Sequence, residues 1–252
     1  MSFDVSGDAY DRFMGRYSQE LAPVLADFAG IEPGLTALDV GCGSGVLTAE
    51  LAQRLGAGRV AAVDPSPLIE ACAARVPGAD VREAPAEQLP WPDDTFDAAL
   101  AQLVIHFLDD PAAGVREMSR VVRPTGVVAA CSWDFPSMQL LGTFWDSVRR
   151  LDPSEHGEAF PYGTRDGLAQ LGNEAGLHDV ETVLLEVSSE YEDFDELWSS
   201  FLLGVGPAGQ YCVSLEPQAQ QPVRDEYRRR IGDPQGSFAL TATALAVRGR
   251  AE

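Results

Sequence analysis

Short apolar runs alternate with amphipathic stretches of helical period along the first half of the chain. Leu35 to Val40, Arg59 to Val63, Ala98 to Val104 and Val127 to Trp133 are too short for helices and are bounded by turn or acidic residues, so each reads as a buried strand. Asp80 to Ala84 reads as another short strand. Between them, Val46, Leu47, Leu51 and Leu55 stand at helical spacing, and Gly56-Ala57-Gly58 stops that helix. Ser66-Pro67 is a cap followed by proline at the first helical position, opening a second helix that ends near Pro77-Gly78. Asp110-Pro111 opens a third, with Val115, Met118, Val121 and Val122 as its inner face and Pro124-Thr125-Gly126 as its close. This alternation predicts a parallel sheet with helices on both faces.

After Trp133 the pattern loosens. One helix is expected around Leu140 to Leu151, then a loop through Phe160-Pro161-Tyr162-Gly163, a helix from Arg165 to Ala175 and a sixth strand over Val180 to Val187. Glu190 to Gly236 is too long for a simple hairpin and reads as an inserted lid with its own helices, followed by a last strand over Ser237 to Val247. Within it, Phe194, Leu197, Trp198, Phe201 and Leu202 form an apolar stripe. Asp193 and Glu196 have capping-box spacing. Such a stripe is first of all core; as a pocket wall it sets Trp198 or Phe201 against a substrate.

The clearest chemistry lies in Asp39-Val40-Gly41-Cys42-Gly43-Ser44-Gly45, between the first strand and the first helix. Its glycines permit positive φ and let backbone approach a ligand that a Cβ would block. A dinucleotide sets its pyrophosphate at the helix N-terminus, and Asp39 opposes that. S-adenosylmethionine has no phosphate but carries an ammonium and a sulfonium, so Asp39 is better matched to it, either directly or by orienting the turn. Asp64 ends the second strand about 20 residues after the glycines, where an acid in this fold type binds ribose hydroxyls. A glycine turn with no ligand is the competing reading of the glycines taken alone.

Four segments resemble a class I S-adenosylmethionine-dependent methyltransferase of the small-molecule, UbiE or type 11-like branch. They are LDVGCGSG (Leu38 to Gly45), VDPSP (Val63 to Pro67), AEQLPWPDDTFD (Ala86 to Asp97) and REMSRVVRPTGVV (Arg116 to Val128), together covering residues 35 to 133. The resemblance implies an α/β, doubly wound Rossmann-like seven-stranded sheet, mostly parallel with an antiparallel last strand, plus a helical lid inserted before that strand. It divides the chain into leader helices over the cofactor (1–34), a methyltransferase core (35–189 and 237–252) and the lid (190–236). Tyr10-Asp11-Arg12-Phe13-Met14-Gly15-Arg16-Tyr17 resembles the family's leader. Tyr10, Arg16 and Tyr17 are therefore expected at the methionine end, with Arg16 as a carboxylate partner. Asp39, Gly41, Cys42, Gly43, Gly45, Asp64, Pro65, Gln102 and Leu103 are expected to bind the cofactor, with Ala86 and Glu87 at adenine. The family usually has an acid beside that alanine; Pro85 stands there instead, leaving adenine to backbone around Ala86 and to Glu87.

Composition narrows the alternatives. The 252 residues carry a net charge of -21, from 39 acids against 18 bases, and every base is arginine. Without lysine there is no P-loop lysine, no Schiff-base lysine and no tyrosine-lysine reductase pair. The acidity opposes phosphate-backbone binding, so no nucleic-acid partner is expected. No apolar run reaches membrane-spanning length and the N-terminus lacks a secretion signal, so a soluble cytoplasmic protein is expected. Cys42, Cys72, Cys131 and Cys212 lack metal or redox spacing and read as reduced, and His106, His156 and His178 are too scattered for a metal site.

Methyl transfer is an in-line displacement at carbon, so rate comes from alignment and exclusion of water. A general base is needed only for an acceptor protonated at neutral pH. His106, after the fourth strand, is the candidate base, against the competing reading of packing beside Phe107. With Trp133, Phe160, Tyr162 and Trp198 it makes up the candidate acceptor site, whose aromatic character fits a flat or apolar small molecule. The expected function is methyl transfer from S-adenosylmethionine to a small-molecule acceptor, with S-adenosylhomocysteine as product. Two alternatives stand beside it: a cofactor-binding protein without transfer activity, and a nicotinamide-dependent oxidoreductase, which Asp39, the GxGxG spacing and the absent lysine oppose.

Overall fold

The computed structural model describes residues 11–155 and 162–252. Its strands are β1 (Ala37–Val40), β2 (Val60–Val63), β3 (Asp80–Arg82), β4 (Phe96–Gln102), β5 (Val122–Trp133), β6 (His178–Tyr191) and β7 (Phe238–Arg250). They form one seven-stranded sheet in the order β3-β2-β1-β4-β5-β7-β6. The first five pair in parallel, and β7 runs antiparallel to β5, from Val127 opposite Arg250 to Trp133 opposite Ala244. The expected Rossmann-like α/β architecture is therefore the observed one. Strand order reverses between β1 and β4, and in such sheets the crevice at the carboxyl ends of those strands is where ligands bind.

Nine helices accompany these strands among the described residues: α1 (Arg16–Ala29), α2 (Val46–Leu55), α3 (Ile69–Arg75), α4 (Pro111–Val121), α5 (Gln139–Leu151), α6 (Arg165–Glu174), α7 (Phe194–Phe201), α8 (Gly206–Ser214) and α9 (Pro217–Arg230). Side chains alternate across β1. Leu38 and Val40 join a core with Val115, Met118 and Val121 of α4 and Leu168 and Leu171 of α6. Asp39 consequently points to the other face.

The chain divides into two compact units. Leu21–Trp133, Phe160–Leu185 and Ala244–Glu252 form one, holding β1 to β5, α2 to α4 and α6. Met1–Glu20, Asp134–Ala159 and Glu186–Thr243 form the other. The sequence reading placed the helix at Leu140 to Leu151 in the core and confined the lid to 190–236, whereas α5 clusters with α7 to α9. Aromatic packing is the reason: Phe144 of α5 stacks on Phe201 of α7 with centroids 4.6 Å apart, and Phe13 meets Phe201 edge-on at 5.0 Å. The buried Tyr227 hydroxyl of α9 donates to the Leu140 carbonyl at 3.1 Å.

Local signals fare unevenly. Asp110 accepts from the Ala113 N–H at 2.9 Å and opens α4 as expected. Asp193 accepts from the Glu196 N–H at 2.8 Å, but Glu196 reaches back to the Glu192 N–H at 2.6 Å, one residue earlier than in a capping box. Ser66 does not cap α3, which starts later, at Ile69, with no side-chain cap on Leu68. The Ser66 N–H instead donates to Asp64 Oδ1 at 2.8 Å, which holds residues 64–66 in a turn. β5 begins at Val122, ahead of the expected Val127, and runs through Pro124-Thr125-Gly126. Ala251 makes this possible, accepting from the Thr125 N–H and donating to the Gly126 carbonyl, both at 3.0 Å. The apolar stripe stops at Phe201, since Leu202 caps the helix end and is 41% exposed. Among the described residues no helix is long and apolar enough to cross a membrane.

Truncating Phe201 to alanine removes its ring contacts with Phe13, Phe144, Trp198 and Tyr227 and is expected to destabilise by about 3 to 5 kcal/mol, whereas Asp193→Ala loses one cap, about 1 kcal/mol. Urea denaturation of the two variants checks that order.

Candidate functional site

β1 ends at Val40, and the chain turns at once. The N–H groups of Gly41 and Cys42 both donate to the Val63 carbonyl, at 2.8 and 3.1 Å, which pins the turn to the end of β2. The three glycines differ in what they do. A Cβ on Gly41 (φ 72) would stand 2.4 Å from Val104 Cγ2, and one on Gly45 (φ 84) would stand 2.8 Å from Cys72 Sγ. Those two are required by packing. At Gly43 (φ 51) a Cβ would meet nothing within 4 Å, so the turn is open on that side to atoms of a ligand.

Two acids shape the turn. Asp39 is 1% exposed, and its Oδ2 accepts from the Thr48 hydroxyl at 2.6 Å. Gly45, the N-cap of α2, has no side chain to offer, and Asp39 reaches the first turn of that helix from the preceding strand through the Thr48 hydroxyl. Burial pushes the Asp39 carboxyl up to about 7, opposed by the Thr48 hydroxyl and reinforced by Cys72 and Asp64. Asp64 staples the turn: Oδ2 accepts from the Gly43 N–H and Oδ1 from the Ser66 N–H, each at 2.8 Å. Each oxygen keeps a further lone pair for a ribose hydroxyl. Pro65 beside it is exposed. Cys42 packs with Cys72 and Ala62, so its side chain faces α3. The Cys72 thiol and burial together raise the Cys42 thiol, and all four cysteines are buried free thiols.

The loop from Ala86 to Asp97 is tied to α4. Ala86 is buried, and Glu87 Oε1 accepts from the Asp109 and Asp110 N–H groups at 3.0 and 3.2 Å. Glu117 accepts from the Leu89 N–H at 2.8 Å. Arg120 donates to the carbonyls of Leu89 and Trp91 at 3.1 and 2.9 Å and pairs with Glu117 at 2.7 Å. Neither Glu117 nor Arg120 was singled out from sequence; their i, i+3 spacing of opposite charges on α4 is the signal that was there to find. Arg120 holds the Glu117 carboxyl below its usual range.

At the end of β4, Gln102 pairs with Cys131 of β5. Leu103 follows with φ 62, a conformation that costs a leucine strain and is stored chiefly at functional sites. Its N–H donates to the Cys131 carbonyl at 3.0 Å, and the turn delivers Val104 against Gly41. His106 sits in the short turn Ile105–Phe107, its Nδ1 3.3 Å from the Ser132 hydroxyl and its ring centroid 4.0 Å from that of Phe107. Burial lowers the imidazole to about 4, so it is neutral at physiological pH. Trp133 follows Ser132 at the end of β5 and is 4% exposed.

The remaining expected site residues that are described divide between the two units. Tyr162 packs on the core of the sheet-bearing unit, ahead of α6. Trp198 belongs to the other unit, where it is buried with its ring 6.0 Å from Phe201. Arg16 and Tyr17 belong to that unit too: Arg16 donates to Glu196 at 2.7 Å and lies over the Tyr191 ring at 4.3 Å, and the Tyr17 and Tyr191 hydroxyls are 3.1 Å apart. The Arg16 guanidinium thus already has a carboxylate partner. Tyr10 and Phe160 lie outside the described residues. Among those described, no three His, Cys, Asp or Glu side chains are grouped to hold a metal.

Residues 38–130 match the family model described as a methyltransferase domain. The chain is 38% identical over 117 residues to a demethylmenaquinone methyltransferase of Mycolicibacterium paratuberculosis, covering 46% of this chain and 49% of that one. It is 30% identical over 159 residues to a malonyl-(acyl-carrier protein) O-methyltransferase of Serratia marcescens, covering 60% of each. The chain thus spans about half to three fifths of the length of these curated relatives. A SAM dependent methyltransferase from Aquifex aeolicus shares the fold, with a TM-score of 0.55 at 17% identity over 96% of this chain and 99% of that one. The glycine turn and both of its acids lie inside the span 38–130 that matches the methyltransferase domain family.

Proposed function

We propose that this protein transfers a methyl group from S-adenosylmethionine to a small-molecule acceptor and releases S-adenosylhomocysteine. The observation that carries the reading is the open side of Gly43 on a turn built around two buried carboxylates, Asp39 and Asp64. A pyrophosphate at this turn meets like charge, whereas a cationic cofactor without phosphate meets opposite charge. When bound, S-adenosylmethionine supplies an electrophilic methyl group on a sulfonium.

The chain's own residues bind and orient. Asp39 offers its carboxylate to the cofactor's amine, and Asp64 accepts from ribose hydroxyls with its remaining lone pairs. Backbone around Ala86, held by Glu117 and Arg120, meets adenine. Gln102 and the strained Leu103 form the floor at the end of β4. His106, neutral and oriented through Ser132, takes the proton of a hydroxyl acceptor, while Phe107 and Trp133 give that edge its apolar character. The names of the matched relatives support methyl transfer as the chemistry.

Calorimetry with S-adenosylmethionine, S-adenosylhomocysteine and NADH tests the reading: the first two are expected to bind and NADH is not, and binding of NADH alone overturns it. Gly43→Ala is expected to weaken the adenosyl ligands at least tenfold, about 1.4 kcal/mol, with a small change in Tm. Gly41→Ala is expected to lower Tm through the clash with Val104. His106→Asn is expected to cut turnover by about 10² or more with unchanged cofactor affinity; wild-type turnover holds until the pH falls toward about 4, where the imidazole protonates. Undiminished turnover removes His106 from the mechanism.

A further inference from the structure

Thr48 was not among the residues expected at the site, yet it sits at the centre of a buried polar chain. It is fully buried in the first turn of α2. Its hydroxyl donates to Asp39 Oδ2 at 2.6 Å and accepts from Cys72 Sγ at 3.4 Å. A threonine hydroxyl has one hydrogen to give. With the thiol hydrogen of Cys72 occupying a lone pair, the Thr48 hydrogen is directed to Asp39. The third glycine of the turn makes this possible, because a Cβ on Gly45 would stand 2.8 Å from Cys72 Sγ and 3.0 Å from its Cα. Gly45 admits Cys72, Cys72 sets the Thr48 hydroxyl, and Thr48 holds Asp39.

We propose that Thr48 is a positioning residue for the cofactor, fixing the Asp39 carboxylate in its charged form and in the orientation that meets the ligand's amine. The inference rests on the reading that S-adenosylmethionine binds this turn with Asp39 as the partner of its amine. The titratable groups that face Asp39 are Asp64 beyond β2 and Cys72 of α3, with Cys42 of the turn beside them; Asp64 opposes its ionisation, and so does Cys72 once its own thiol, lowered to about 7 by the Cys42 thiol, has given up its hydrogen. Burial opposes it as well. Thr48 is the donor that favours it, and the arriving cation adds to the same side. Ligand affinity therefore rises with pH as Asp39 ionises, and binding at lower pH releases a proton. Removing the hydroxyl leaves the carboxylate buried without its side-chain donor, which displaces the rise to higher pH.

Titration calorimetry of the full chain with S-adenosylmethionine from pH 5.5 to 9, in buffers of different ionisation enthalpy, reads both affinity and released protons. Thr48→Val is expected to bind about tenfold or more weakly at pH 7, the order lost with a hydrogen bond to a charged group, with its affinity rise moved to higher pH. Thr48→Ser is expected to restore both. Thr48→Ala gives the same readout should the valine variant fail to fold. A loss equal at every pH, with no displaced rise and no rescue by serine, makes Thr48 merely structural and overturns the proposal. So does a Thr48→Val profile that overlays the wild type. Absence of wild-type binding at every pH overturns the cofactor reading together with this one, which separates the two failures.

Discussion

A carboxylate buried to 1% exposure at the end of a central strand must be protonated, paired or well supplied with donors. Asp39 is in that position, and the local structure follows from how its requirement is met. Thr48 supplies its hydroxyl from the first turn of α2, so the acid that needs a donor is tied to the start of a helix whose N-cap is a glycine. Asp64 does the matching work from β2, holding the Gly43 N–H. Two acids from adjacent parallel strands thereby fix a turn that elsewhere in doubly wound folds is shaped for phosphate, and the charge they bring opposes a phosphate there.

The sheet's topology puts this turn where a second strand end can reach it. β4 lies beside β1, and the strained Leu103 turns the chain so that Val104 fills the space a side chain on Gly41 would need. Beyond it come His106 and, from β5, Ser132 and Trp133. The loop from Ala86 onward is held by Glu117 and Arg120 of α4. In the methyl transfer proposed, alignment of the reactants depends on such rigidity.

What was legible in the sequence was local. The glycine run, the Asp110 cap and the parallel strands follow from neighbours a few residues apart. What was missed depends on partners far along the chain. The expected start of β5 was late because Ala251, remote in sequence, satisfies backbone groups of Thr125 and Gly126. α5 joins the helices of the second unit through Phe144 and Phe201, a pairing that no periodicity reveals. Ser66 looked like a cap, but the helix starts only at Ile69, and the Ser66 N–H closes a turn onto Asp64 ahead of it. Thr48 was invisible as a site residue because it lies at an ordinary buried helical position, and only the alternation of β1 brings Asp39 to the same face.

The charge state of Asp39 is the point on which cofactor choice and turn geometry meet. An NMR titration of its side-chain carboxyl carbon, with and without S-adenosylmethionine, measures that state directly. The carboxyl is expected to titrate near pH 7 in the free protein, raised by burial, and to move to lower pH when the cationic ligand is added. A carboxyl that titrates in the ordinary aspartate range, or one that the ligand leaves unmoved, contradicts the central claim.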